Sequence, residues 1–160
     1  MHFMTFEEAK DLIMSNEELE YFRRHLSFGA SGVLEVEKYY ETAIKGDPSY
    51  YFYGHPEKCL LAFRENHFKV NVCGNTITDQ KSYFVTELYV AQNYRRLGLS
   101  MEMFKRVFEM FDDADFYVHV NSTNDRGIRA YEKSGFKHDR VVNNYERFNI
   151  ISMVRRHPET

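Results

Sequence analysis

Tryptophan is absent from the 160 residues of this chain, and cysteine occurs only twice. Cys59 and Cys73 both fall in runs that read as strands. Two such residues build no disulfide framework, so buried, reduced thiols are expected, as in a cytoplasmic protein. No His-x-x-x-His or Cys-x-x-Cys spacing occurs, so no metal is expected. Long apolar runs are missing as well: nothing approaches the roughly 18 residues a membrane-spanning helix needs. Met1-His2-Phe3-Met4 runs straight into Glu7 and Glu8, which is not a secretion signal. Nor is there an excess of basic residues. A net charge of −3 argues against a general nucleic-acid binder. No internal repeat, low-complexity tract or linker is visible, and one domain over 1–160 is expected.

What is present suits a folded core. Tyr and Phe account for 16% of the chain, and rings that each bury a large area must supply much of that core. Thr5-Phe6-Glu7-Glu8 is a capping-box pattern that predicts a first helix, and Ser15-Asn16-Glu17-Glu18 predicts a second, from Glu17 to about His25. After a small-residue linker, Ser27 to Gly32, the residues Val33, Val36, Tyr40 and Ala43 recur at helical spacing up to a C-cap at Gly46. Aromatic and β-branched runs at Ser49–Tyr53, Cys59–Glu65, Phe68–Val72 and Tyr83–Val90 predict an antiparallel meander.

The rest alternates. Leu99, Met103, Val107 and Met110 mark a helix from about Leu97 to Phe111. A strand Phe116–Val120, a helix Asp125–Ser134 stopped by Gly135, and strands at about Phe136–Asn143 and Arg147–Arg155 follow. Strand–helix–strand from Tyr83 to Val120 demands a parallel crossover. The fold class is therefore α/β, a mixed and mostly antiparallel sheet with one parallel crossover and flanking helices.

Two segments carry chemistry. Thr86 to Ser100 reads as a strand, a basic turn with one glycine and a helix start, which aims backbone N–H groups and a helix dipole at one spot where a phosphate can sit. Gly98 permits close approach, Ser100 is small, and Arg95 and Arg96 add charge. Asn124 to Phe136 is a short helix carrying Tyr131. Taken singly, the first is also a solvated surface turn and the second a helix with a packing aromatic beside Ile128.

Together, in this order, the segments resemble the acyl-CoA signatures of GNAT-family N-acetyltransferases. Arg95, Gly98 and Ser100 occupy the fixed places of Arg/Gln-x-x-Gly-x-Gly/Ala, and Asn124, Tyr131, Gly135 and Phe136 match Asn-x-x-Ala-x-x-x-Tyr-x-x-x-Gly-Phe. Ser100 departs from Gly or Ala, Gln92 from a common proline, Arg96 from a common glycine and Gly127 from the alanine.

The resemblance covers roughly Tyr83 to Arg155 and implies acetyl-CoA as donor, with direct transfer to an amine. CoA would be held by Leu88, Tyr89 and Val90, by the turn Arg95, Arg96, Leu97, Gly98, Leu99 and Ser100, and by Asn124 and Tyr131. Tyr131 would protonate the departing thiolate and Glu87 would take the amine proton. A backbone N–H near Tyr89 or Val90 would stabilise the oxyanion. Glu87 also reads as a solvated strand carboxylate.

The acceptor is expected to be a small-molecule or peptide amine, with a homodimer as the candidate assembly and no nucleic-acid or membrane partner. Glu35, Glu37 and Glu41, with Tyr39, Tyr40, Tyr50, Tyr51 and Tyr53, suit a cationic acceptor, or else form a solvated face over a tyrosine-rich core. Two rivals share these residues: a CoA-binding regulatory module without transfer activity, and an acyltransferase using a longer acyl-CoA.

Overall fold

Residues that pack well on a pleated surface become strands wherever the chain runs them together. The computed structural model describes residues 1–15, 38, 40–66, 81–145 and 148–158. Its sheet has seven strands in the order β1-β2-β3-β4-β5-β7-β6. These are β1 (His2–Phe3), β2 (Tyr50–His55), β3 (Cys59–Glu65), β4 (Ser82–Val90), β5 (Asp115–Asn121), β6 (Lys137–Tyr145) and β7 (Phe148–Arg155). Every neighbouring pair is antiparallel except β4 and β5. The helices are α1 (Phe6–Met14), α2 (Leu99–Met110) and α3 (Asp125–Lys133), with a single π-helical turn at Tyr40–Ile44. The α/β class and the parallel crossover, β4–α2–β5, are as the sequence predicts.

Each face of the sheet has its own core. On one, α2 lays Met103, Phe104, Val107 and Phe108 against Leu61, Phe63, Val85, Phe116 and Val118. Full burial of such a side chain stabilises the fold by about 1.5–3 kcal/mol. On the other, α1 and the π-turn set Leu12, Ile13, Tyr40 and Ile44 on Phe52, Leu60, Ala62 and Tyr89. The capping box of α1 forms in full, Thr5 Oγ1 accepting from Glu8 N and Glu8 Oε1 from Thr5 N, both at 3.1 Å. Cys59 is a buried free thiol.

One irregularity decides which residues reach which face. Ala62 pairs with Glu87 but Phe63 pairs with Val85, so Thr86 is an extra residue in β4. Such a bulge reverses the in–out alternation beyond it. Tyr83 and Val85 therefore face the α2 side, whereas Glu87 and Tyr89 face the α1 side and Leu88 and Val90 turn toward α2. The Thr86 hydroxyl donates to Ala62 O at 3.2 Å across the bulge. The β4–β5 ladder covers only Ser82–Val85 against Asp115–Val118, ending where the bulge begins.

Several expectations are corrected. α2 begins at Leu99, not Leu97, because Gly98 takes a left-handed conformation as N-cap. Met110 is exposed, since the buried face of α2 centres between Met103 and Phe108 and leaves Met110 at its edge. The segment ending at Gly46 is helical where described, α at Lys38 and π over Tyr40–Ile44, and Gly46 takes the left-handed conformation of a C-cap. Glu41 is ion-paired to Lys10 (2.7 Å) and Lys45 (3.2 Å), which holds its carboxyl below the usual range, chiefly through the Lys10 hydrogen bond. Tyr40 and Tyr53 are core residues, and Tyr50 and Tyr51 pack at its margin. The predicted helix from Glu17, the Ser27–Gly32 linker, the strand Phe68–Val72, Cys73, Glu35, Glu37 and Tyr39 lie outside the described residues.

Candidate active site

Past Val85 the two parallel strands separate, and a cleft of about 710 Å³ occupies the opening. Residues Thr86 to Val90 of β4 form one bank, and Val118, His119 and Val120 of β5 the other. Because β5 does not pair with this stretch, the edge of β4 on that side faces the cleft, open to amide groups of a ligand.

A turn closes one end of the cleft. After Val90 the chain makes a short 3-10 turn, Gln92–Tyr94, and Arg95 folds back so that its Nε donates to Val90 O at 2.9 Å. Arg96 then adopts φ 65° and Gly98 φ 75°. The left-handed region strains a residue with a Cβ by about 1–2 kcal/mol, which explains why the family commonly has glycine where Arg96 stands. As N-cap, Gly98 offers no side chain, so no cap hydrogen bond is made to the first turn of α2. The leading N–H groups of that helix, at Leu99, Ser100 and Met101, point outward with the positive end of the dipole. A Cβ on Gly98 would meet no atom within 4 Å. Packing within the chain therefore leaves that space free. The donors and the free space are of the kind that could hold a phosphate.

Across the cleft, α3 begins at Asn124, whose Oδ1 accepts from Gly127 N at 3.0 Å. A Cβ on Gly127 would lie 2.6 Å from Asn124 Nδ2, so the glycine in place of the family's alanine makes room for the cap. Asn124 thus serves the helix through its oxygen while lining the cleft. One face of α3 brings Arg126, Arg129 and Lys133 to the rim, adding to Arg95 and Arg96. Sequence reasoning missed these three, although their spacing at i, i+3 and i+7 was a readable signal.

Tyr131 reaches the cleft from the inner face of α3, with its ring edge-on to Phe104 (6.0 Å) and Phe136 (5.5 Å). Burial, and then the charge of Glu87, push its phenol up, so it stays protonated. Glu87 is 3% exposed. Burial raises its carboxyl to about 8, against the pull of a hydrogen bond from the Tyr40 hydroxyl to Oε2. Oε1 is buried with no hydrogen-bond partner. The expectation of a solvated carboxylate at Glu87 is thereby overturned.

Leu88, Tyr89, Val90, Arg95, Arg96, Gly98, Leu99, Ser100, Asn124, Tyr131 and Glu87 all line the one cleft. Leu97 does not: it is 68% exposed and contributes only backbone to the turn. Neither reading of Tyr40, acceptor-side aromatic or core ring, foresaw its hydroxyl bonding to Glu87, 47 residues away. No local spacing signals that pair. Among the described residues, no cluster of His, Cys, Asp and Glu suits a metal. No described helix is long and apolar enough to cross a membrane.

The raised carboxyl makes stability depend on pH. Glu87 holds its proton more tightly folded than unfolded, so its contribution is full below 4.5 and is lost as pH rises through about 8. Glu87→Gln, uncharged throughout, is expected to melt progressively above the native protein between pH 5 and pH 9. Paired thermal melts check this, and a constant difference across that range would contradict the burial.

Comparison with known proteins agrees with this geometry. The model of the Acetyltransferase (GNAT) family matches residues 18–136. No curated protein matches the chain. Among solved structures, the ribosomal-protein-S18-alanine N-acetyltransferase from Escherichia coli is 12% identical, with TM-score 0.59 over 97% of this chain and 89% of that one. RimL, a ribosomal L7/L12 alpha-N-protein acetyltransferase in complex with coenzyme A, is 7% identical with TM-score 0.65, over 96% and 91%. Arabidopsis thaliana NAA60 with a bisubstrate analogue is 16% identical with TM-score 0.57, over 88% and 94%. At such identities the likeness is one of fold, and the family match covers most of the chain. The chain belongs to the GNAT family of acetyltransferases.

Proposed function

We propose that this protein transfers an acetyl group from acetyl-CoA directly to an amine, the α-amine of a peptide or protein being the favoured acceptor. The observation that carries the reading is one cleft holding a buried carboxyl, Glu87, a buried phenol, Tyr131, and an uncapped, arginine-flanked helix start. The N–H groups of Leu99 and Ser100, with Arg95 and Arg96, would hold the pyrophosphate, and the edge of β4 at Leu88–Val90 and Asn124 the pantetheine arm. When bound, CoA supplies the acyl thioester and a thiolate leaving group. Glu87 takes the proton of the attacking ammonium, and Tyr131 gives one to the thiolate.

Proton affinity narrows the acceptor. An α-ammonium titrates at about 7.7–8.0 and a lysine ammonium at about 10.4. A carboxyl raised to about 8 is matched to the first, whereas the second opposes transfer by about two pH units. Similar structures named for N-terminal or alanine N-acetylation point the same way. A reducing compartment, the cytoplasm, belongs to the proposal, because the buried Cys59 stays reduced there.

The test is thiol release from acetyl-CoA in a panel of peptides with free N-termini, Nα-blocked lysine peptides and small amines. Release with free N-termini is expected, with a rate rising toward pH 8 that Glu87→Gln abolishes. Binding of CoA without release from any amine would make the protein a CoA-binding regulatory module. Faster release from longer acyl donors would reassign the acyl group.

A further inference from the structure

Tyr40 is wholly buried, yet its hydroxyl does not merely fill space: it donates to Glu87 Oε2 from an element remote in sequence. The residue opens the π-turn, where Lys45 N bonds back to Tyr40 O at 2.9 Å. Single π-turns widen a helix locally and recur at functional sites. This one is tied to α1 through Lys10 Nζ and Glu41 Oε1 at 2.7 Å, and the Tyr40 ring packs on Phe6 at 6.1 Å. The phenol is therefore held in place from two sides before any ligand arrives. Glu87, for its part, sits just past the Thr86 bulge with Oε1 buried and unbonded. One carboxylate oxygen is engaged and the other is left for a proton.

We infer that Tyr40 is the positioning residue for Glu87, its hydroxyl fixing Oε2 so that Oε1 takes the proton of the acceptor. The inference rests on the reading of Glu87 as the base. Among the ionisable groups on the surrounding elements, Tyr131 on α3 feels the charge of Glu87. Lys10 and Glu41 pair with each other, and among the described residues only Tyr40 hydrogen-bonds to the carboxyl. Losing that donor removes support from the charged form and leaves both oxygens without a partner. Ionisation then requires a higher pH, by about one to two units for a hydrogen bond to a charged group.

The experiment titrates the full chain labelled with carboxyl-¹³C glutamate, from pH 5 to pH 10. The Glu87 signal is the one absent from Glu87→Gln. Tyr40→Phe is expected to raise the Glu87 midpoint by about one to two units. The acid limb of thiol release with a free-N-terminus peptide should move equally, and the KM for acetyl-CoA should hold. If Tyr40→Phe fails to fold, 3-fluorotyrosine placed at position 40 alone, a stronger donor of the same shape, is expected to lower the midpoint. An unmoved midpoint in either folded variant overturns the inference even where Glu87→Gln is inactive. A native pH–rate profile in Glu87→Gln overturns the base reading instead, and the inference with it.

Discussion

Tyr131→Phe is expected to lower turnover by about 10²-fold while leaving CoA affinity and thermal stability nearly unchanged. General acid catalysis is worth about 10²–10⁴-fold, and the phenol's environment decides where in that range the loss falls. Burial pushes the phenol above its ordinary value, already about 10, whereas a thiol titrates at about 8.5. Donation is thus uphill, and the lower end of the range applies. The charge on Glu87 is the second cause of the shift. Once Glu87 has taken the amine proton, that charge is gone and Tyr131 becomes the stronger acid at the moment the thiolate departs. The ring stacks edge-on against Phe104 and Phe136, and phenylalanine preserves both contacts. Single-turnover thiol release, with calorimetric titration of CoA, checks the expectation. Near-native turnover with chemistry rate-limiting would reduce Tyr131 to a packing residue.

Gly98→Val is expected to weaken CoA binding at least tenfold, about 1.4 kcal/mol. Two effects combine. At φ 75° a β-branched side chain strains the backbone by about 1–3 kcal/mol, loosening the turn that presents the N–H groups. The new methyls also enter space that no atom of the chain occupies, where the phosphates would lie. Gly98→Asn separates the effects, because asparagine tolerates the left-handed conformation. Loss of binding in both variants with a native melting curve for Gly98→Asn indicts the filled space. Native affinity in Gly98→Asn would assign the loss to strain, and native affinity in Gly98→Val would place the phosphates elsewhere.

Local signals were legible in the sequence. The Thr5 capping box and the stop of α3 at Gly135 each depend on residues within a few positions of one another. The turn at Arg95–Ser100 was legible for the same reason. The Thr86 bulge was not, because Tyr83, Val85, Glu87 and Tyr89 are all buried, and unbroken alternation in burial reads as one flat strand. Burial on the α1 side and burial on the α2 side look alike in a one-dimensional pattern. Glu87 reads as a solvated carboxylate because nothing local in the sequence shows that Tyr40 and the π-turn cover it. Long-range pairing is what the sequence conceals here.

The four-residue ladder between β4 and β5 has a consequence for the lifetime of the protein. In the strand order it alone joins β1–β4 to β5–β7, so the sheet is two halves meeting along a short seam that α2 covers on one face. A ligand gripping α2 and β4 on one side and α3 on the other acts as a clasp across that seam. At a hundred times its Kd, such a clasp adds about 2.7 kcal/mol to the unfolding free energy. On the proposed function, the chain without acetyl-CoA is expected to open and be cut sooner than the chain with it, which limited proteolysis with and without CoA checks.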